Sequence, residues 1–185
     1  MLKHKLEFCN FVMMKIFLTG KPGIGKTTIV KEIVKNLKDK VVGFWTEEVR
    51  DIKTHQRVGF KIIDTEGNEC VFANKNFESP FVVGSYKVDL KKFESIAIPI
   101  LQKTLQLKDK VIIIDEIGKM ELFSENFVEL ISKIVFQPEY KLVATLPIKN
   151  VHPVVEKIRN LNNIKIFEVT FENRNFLPNE ILKLL

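Results

Sequence analysis

The stretch KIFLTGKPGIGKTT, Lys15 to Thr28, decides how the rest of the chain is read. It opens as a short apolar strand (Ile16, Phe17, Leu18), passes through a glycine-rich loop and enters a helical pattern. Gly20-Lys21-Pro22-Gly23-Ile24-Gly25-Lys26-Thr27 satisfies G-x-x-x-x-G-K-[ST] at each fixed position, in the strand–loop–helix setting that gives the motif its meaning. Gly20, Gly23 and Gly25 permit backbone angles forbidden to other residues, so amide N–H groups can turn inward around an anion. The helix start adds a positive dipole end and unpaired N–H groups. Lys26 carries a point charge suited to β- and γ-phosphates, and the Thr27 hydroxyl suits a Mg²⁺ ion. A glycine-rich turn that matches by chance is the alternative, and the flanking strand and helix weigh against it. Gly20 to Thr28 is therefore expected to hold a nucleoside triphosphate.

Outward from this loop, Ile29, Val30, Ile33, Val34 and Leu37 continue the helix at helical spacing. Val41 to Arg50 and Arg57 to Thr65 are β-branched and aromatic, and they read as strands. After a turn at Thr65 to Asn68, β character resumes over Glu69 to Ala73, giving a small antiparallel set of hairpins beside a larger sheet. Asn74 to Gly84 reads as loop, and Ser85 to Val88 as a short strand. Asp89 is placed to cap a helix over residues 90–107, which Pro99 should kink or divide. Val111 to Asp115 is a continuous apolar run ending in an acid, as in a strand buried on both faces. Ser124 caps a helix ending before Pro138. A strand from Lys141, a helix from Pro153, a strand over Ile164 to Thr170 and a helix from Pro178 complete the alternation. Such alternation means an α/β sheet with its ligand at the carboxyl ends of the strands.

At 185 residues, with 45% hydrophobic and 28% charged residues, the composition is that of a soluble globular protein. No apolar run approaches the roughly 18–20 residues of a membrane span. Residues 1–13 contain Glu7 and no small-residue cleavage site, and they read as an N-terminal extension to one domain at 14–185. Cys9 and Cys70 have no metal-ligand spacing and fit reduced thiols, hence a cytoplasmic location. The net charge of +6 comes from lysines scattered along the chain, with arginine only at positions 50, 57, 159 and 174. Diffuse lysine reads as solvated surface and argues against a nucleic-acid partner. A monomer is the favoured state. The 15 phenylalanines read as core, and His55 and His152 as loop residues.

Phosphoryl transfer also needs a metal-side acid and a group that orients the nucleophile. Asp115 at a strand end is suited to the first role. Glu116 beside it is placed to polarise a water for attack on a γ-phosphate, although a plain strand-end turn is the alternative. Asn74-Lys75-Asn76-Phe77 lacks the aspartate of a guanine-reading motif.

GKPGIGKTT, GFWTEEVR, RVGF, VGSYKVDL, IIIDEIGKMELFS and ENRNFL occur in this order. Together they resemble the THEP1-type nucleoside-triphosphatases, small P-loop proteins that include the cancer-related nucleoside-triphosphatase of animals. The likeness runs from about Met14 to the C-terminus. It implies a three-layer, RecA-like P-loop NTPase fold with a mostly parallel central sheet and the hairpins as an insertion. It also implies Mg²⁺-dependent hydrolysis of ATP, GTP, CTP and UTP to diphosphate and phosphate. Carried onto this sequence, the Walker B segment is Ile112, Ile113, Ile114, Asp115, Glu116, Ile117, Gly118 and Lys119. Asp115 is then the Mg²⁺-side acid together with Thr27, and Glu116 the general base. Lys119 can reach a phosphate or pair with Glu121. Arg50 and Arg57 lie in family-like motifs and are candidates to neutralise transition-state charge. Arg174 is a candidate contact to base or ribose, and Arg159 sits on an ordinary helix. A nucleotide or nucleoside kinase shares cradle and fold, and a regulatory nucleotide-binding module acting with RNA or protein is a third class.

Overall fold

The computed structural model describes residues 14–185, and the extension expected at 1–13 lies outside the described residues. β1 (Lys15–Thr19) runs into the glycine loop, and α1 (Lys26–Leu37) leaves it. β2 (Val41–Arg50), β3 (Arg57–Asp64) and β4 (Glu69–Asn74) form an antiparallel meander. β5 (Val82–Val83), β6 (Tyr86–Val88) and α2 (Leu90–Thr104) follow. The alternation then runs β7 (Val111–Ile114), α3 (Glu125–Phe136), β8 (Lys141–Thr145), α4 (Pro153–Arg159), β9 (Lys165–Glu168) and α5 (Leu177–Leu182).

The nine strands among the described residues share one sheet in the order β5-β6-β4-β3-β2-β7-β8-β1-β9. The strands from β2 to β9 in that order pair in parallel. The hairpin strands are antiparallel and extend this sheet edge-on. The joint is β2: Val41 to Phe44 pair with β7, while Phe44 to Arg50 pair with β3. β2 thus overhangs the end of β7, and the hairpin projects past the carboxyl edge. One strand, β8, separates the glycine-loop strand from the strand that carries Asp115, which is the RecA-like arrangement.

Side-chain alternation of period two builds the three layers. Phe17, Ile112, Ile114, Leu142 and Ala144 face one side, against Phe93 of α2, Phe127 and Ile131 of α3, and Val155 and Ile158 of α4. Ile16, Leu18, Ile113 and Val143 face the other, against Ile29, Val30 and Ile33 of α1 and Ile181 of α5. The parallel strands are covered on both sides, which is why they read as unbroken apolar runs.

The expected caps form. Asp89 accepts from Lys92 N at 3.1 Å, and Ser124 Oγ accepts from Phe127 N at 3.1 Å. Pro99 does not divide α2, contrary to expectation. It lies on the exposed face, so the carbonyl of Ser95 that loses its partner can meet water, while Phe93, Ala97, Ile100 and Leu101 hold the helix from the buried side. The loop expected over residues 74–84 contains β5, which pairs with β6 around Gly84-Ser85, a glycine-first hairpin turn. The phenylalanines are not all core: Phe44, Phe93 and Phe127 meet edge to face in its centre, but Phe171 and Phe176 are each 69% exposed. Among the described residues no helix is long and apolar enough to cross a membrane.

Candidate active site

Three strand ends and one helix start meet at the carboxyl edge of the parallel strands. Where β1 ends, a Cβ on Gly20 would stand 2.8 Å from the carbonyl oxygen of Val169, so the loop can turn there only as bare backbone. Gly25, at φ 113°, occupies the N-cap of α1, and no side chain caps that turn. Its N–H groups therefore point toward whatever the loop holds. The Lys26 ammonium folds back over the loop and donates to Gly20 O at 3.1 Å.

At the end of β7, Asp115 is 1% exposed and both of its oxygens are used. Thr27 Oγ1 donates to Oδ2 at 2.6 Å, and Thr145 Oγ1 at the end of β8 donates to Oδ1 at 2.5 Å. Burial pushes the Asp115 carboxyl above its ordinary range, against the pull of these two hydroxyls and of Lys26. Asp115 N bonds to Phe44 O and Ile117 N to Thr145 O, so the segment is pinned to both neighbouring strands just past the strand end. Ile112, Ile113, Ile114 and Ile117 are 0% exposed. Their side chains therefore offer a nucleotide no surface, so a contact from this segment is one through its backbone, and two-sided burial of β7 fixes where Asp115 emerges.

The Thr27 hydroxyl and Asp115 carboxylate are adjacent hard oxygen donors, a set that fits Mg²⁺ held by few protein oxygens together with substrate phosphates. Among the described residues no group of three or more His, Cys, Asp or Glu could cage a metal.

Glu116 Oε2 lies 4.0 Å from Lys26 Nζ, with 32% of the glutamate side chain exposed. Burial raises its carboxyl above the ordinary range, Lys26 opposes this, and Asp115 adds to it. A Cβ on Gly118 would meet Glu116 Oε1 at 2.6 Å and Glu121 Oε2 at 2.8 Å, so two carboxyl groups flank that glycine. Glu121 is 6% exposed, and burial together with the Glu116 charge pushes it up to about 8. Sequence reasoning weighed Glu121 only as a partner for Lys119. Among the described ion pairs that one is not present: Lys119 is exposed and Glu121 faces inward. The one available signal was the short spacing from Glu116 to Glu121 around a glycine.

The four arginines separate. Arg174 Nη1 donates to Ile24 O of the glycine loop at 3.4 Å, and its guanidinium lies 4.9 Å from the Phe171 ring centre. Arg159, read as an ordinary helix residue, reaches the β1 and β8 ends, donating to Pro147 O and to Thr19 Oγ1 at 3.4 Å. Arg50 and Arg57 are not brought to the glycine loop. Arg50 pairs with Glu48 and donates to His55 O, six residues past Phe44 and so roughly 20 Å along the overhanging hairpin. Arg57 binds Glu48 and Tyr86 Oη. Trp45 donates to Glu47 from β2, and His152 Nδ1 accepts from Val154 N as the cap of α4.

This geometry agrees with what the chain is similar to. A family model described as NTPase matches residues 15–182. The nucleoside-triphosphatase THEP1 of Aquifex aeolicus (strain VF5) is 52% identical over 176 residues, covering 93% of this chain and 99% of that protein. The cancer-related nucleoside-triphosphatase of Homo sapiens is 38% identical over 180 residues, covering 90% and 94%. The crystal structure of THEP1 from Aquifex aeolicus superposes with a TM-score of 0.88 at 50% identity, over 93% of this chain and 99% of that one. The solution structure of the human protein gives 0.76 at 38% identity, over 92% and 96%. On the family model over residues 15–182 and on these identities and coverages, the chain belongs to the NTPase family of nucleoside-triphosphatases.

Proposed function

We propose that this enzyme hydrolyses ATP, GTP, CTP and UTP to diphosphate and phosphate in a Mg²⁺-dependent reaction, with Glu116 activating the water. The observation that carries the reading is the 4.0 Å approach of Glu116 to Lys26, beside an Asp115 already joined to Thr27. Residues Gly20 to Thr28 wrap the β- and γ-phosphates with backbone N–H groups, and the Lys26 ammonium moves from Gly20 O to a γ-phosphate oxygen. Thr27 and Asp115 would hold Mg²⁺, which would supply charge neutralisation for the transferring phosphoryl group. Glu116 accepts a hydrogen bond from the attacking water and takes its proton as the new P–O bond forms. The bond from phosphorus to the bridging oxygen breaks, and the diphosphate leaves. Lys119 is exposed on the same loop, within reach of a substrate phosphate. Arg174 contacts the nucleotide from the other side of the cradle. The active unit is residues 14–185, whose strands share one sheet, acting as a cytoplasmic monomer; the free thiol of Cys70 is in keeping with a reducing compartment.

The test is phosphate release from all four triphosphates with Mg²⁺, comparing wild type with Glu116→Gln and Lys26→Ala. Wild type is expected to turn over all four, Glu116→Gln to bind without hydrolysis and Lys26→Ala to lose binding. Release by Glu116→Gln at the wild-type rate would remove Glu116 from the base role. Binding by wild type with no release would point to phosphoryl transfer to another acceptor.

A further inference from the structure

The segment after β9 presents an aromatic surface that a core role does not explain. Phe171 and Phe176 are each 69% exposed, on a turn that is itself well held. Thr170 N bonds to Asn173 Oδ1 at 2.8 Å, Asn173 Nδ2 to Glu168 O at 2.8 Å, and Arg174 N to Thr170 O at 3.1 Å. Val169 N bonds to Thr19 O at 2.7 Å, tying the turn to the strand that feeds the phosphate loop. The Arg174 guanidinium lies over the Phe171 ring at 4.9 Å, and the same side chain bonds to Ile24 O. A cleft of about 410 Å³ opens between the start of α1, at Thr28 and Glu32, and the segment carrying Arg174, Asn175 and Asn179.

The strand order gives this surface a direction. β7 and β9 lie on opposite sides of β1. A triphosphate in the loop with its γ end toward Glu116 therefore extends its nucleoside end toward the end of β9, where Phe171, Arg174 and the cleft are. We propose that Phe171, with Arg174 laid on it, is the platform on which the nucleobase stacks, and that the cleft beside it, where Thr28, Glu32 and Asn175 supply polar groups, takes the ribose. The inference rests on the reading of the cradle as a triphosphate site. Aromatic and guanidinium faces accept any base, because every base has a π face, so the platform holds purines and pyrimidines without reading their edges.

The test measures calorimetric binding of ATP, CTP and inorganic tripolyphosphate with Mg²⁺, in Glu116→Gln as the common parent so that nothing is turned over. Tripolyphosphate has the phosphates and no base. Adding Phe171→Leu is expected to weaken ATP and CTP by about tenfold and leave tripolyphosphate unchanged, while Phe171→Trp retains nucleotide binding. Phe171 is an exposed turn residue, so these variants fold as the parent does. Equal weakening of ATP and tripolyphosphate, or ATP binding untouched by Phe171→Leu, overturns the platform alone. A parent that binds neither ATP nor tripolyphosphate overturns the cradle reading and the platform with it.

Discussion

The Thr27 hydroxyl donates a 2.6 Å hydrogen bond to Asp115 Oδ2, joining the first turn of α1 to the end of β7 across 88 residues of chain. Thr145 holds the other carboxylate oxygen. The two oxygen donors that we propose for a shared cation are therefore brought side by side by the fold itself.

Thr27→Val keeps the shape of the side chain and removes the hydroxyl. Mg²⁺-dependent phosphate release is expected to fall on the order of a hundredfold, with Thr27→Ser retaining most of it. Chelation of Mg²⁺ by EDTA should abolish release, and added Mg²⁺ should restore it. Release that survives EDTA would count against the metal assignment.

Gly118 lies between two carboxyl groups, and a methyl group there meets Glu116 Oε1 at 2.6 Å and Glu121 Oε2 at 2.8 Å. Both contacts are the far ends of flexible side chains, so Gly118→Ala is expected to fold. Displacing Glu116 by about 1 Å should cost on the order of a hundredfold in turnover, with nucleotide affinity kept. A normal rate in a folded Gly118→Ala protein contradicts the need for a fixed Glu116.

Burial and the Glu116 charge push Glu121 up to about 8 from an ordinary 4.5. Between these values the folded protein keeps a proton that the unfolded chain has lost. This group's contribution is full below pH 4.5, falls as pH rises by about 1.4 kcal/mol per unit, and levels off above 8. Glu121→Gln removes that slope, so its stability relative to wild type should grow from pH 5 to 8 in urea unfolding. Parallel stability curves for the two proteins would show that Glu121 ionises freely.

Arg57 packs over Phe60 and Tyr86, bonds to Tyr86 Oη at 2.9 Å and pairs with Glu48, whereas Arg50 is held by Glu48 and a turn carbonyl. Arg57→Ala is expected to cost about 1–2 kcal/mol of stability, and Arg50→Ala under about 1 kcal/mol. Neither should change kcat more than about twofold, because neither reaches the cradle, where one transition-state donor is typically a hundredfold effect. A hundredfold fall in kcat for Arg50→Ala would mean that the hairpin folds over the substrate.

Pro99 sits exposed in the middle of α2 with its neighbours packed. Pro99→Ala restores a backbone donor, and a gain of about 1 kcal/mol is expected in urea unfolding, smaller than the full helix penalty because proline also restrains the unfolded chain. Destabilisation instead would mean that the ring itself contributes to packing.

The sequence by itself determined the local elements and the identity of the chemistry. The glycine loop, the apolar run ending at Asp115 and Glu116, and the caps Asp89 and Ser124 are short-range patterns, and each formed where its pattern lay. Three-layer order was legible because two-sided burial leaves unbroken apolar strands such as Val111 to Ile114. Only the tertiary structure decided what depends on meetings across the chain. It brought Thr27, Thr145 and Asp115 together, turned Glu121 inward beside Glu116, and carried Arg50 out along an overhanging hairpin. It also set Arg174 against the phosphate loop and left Phe171 exposed beside it. Residue type alone made phenylalanine core and arginine a charge to be placed. Which of them lies near the phosphate loop is settled by strand order, because neighbours in the sheet are not neighbours in the chain.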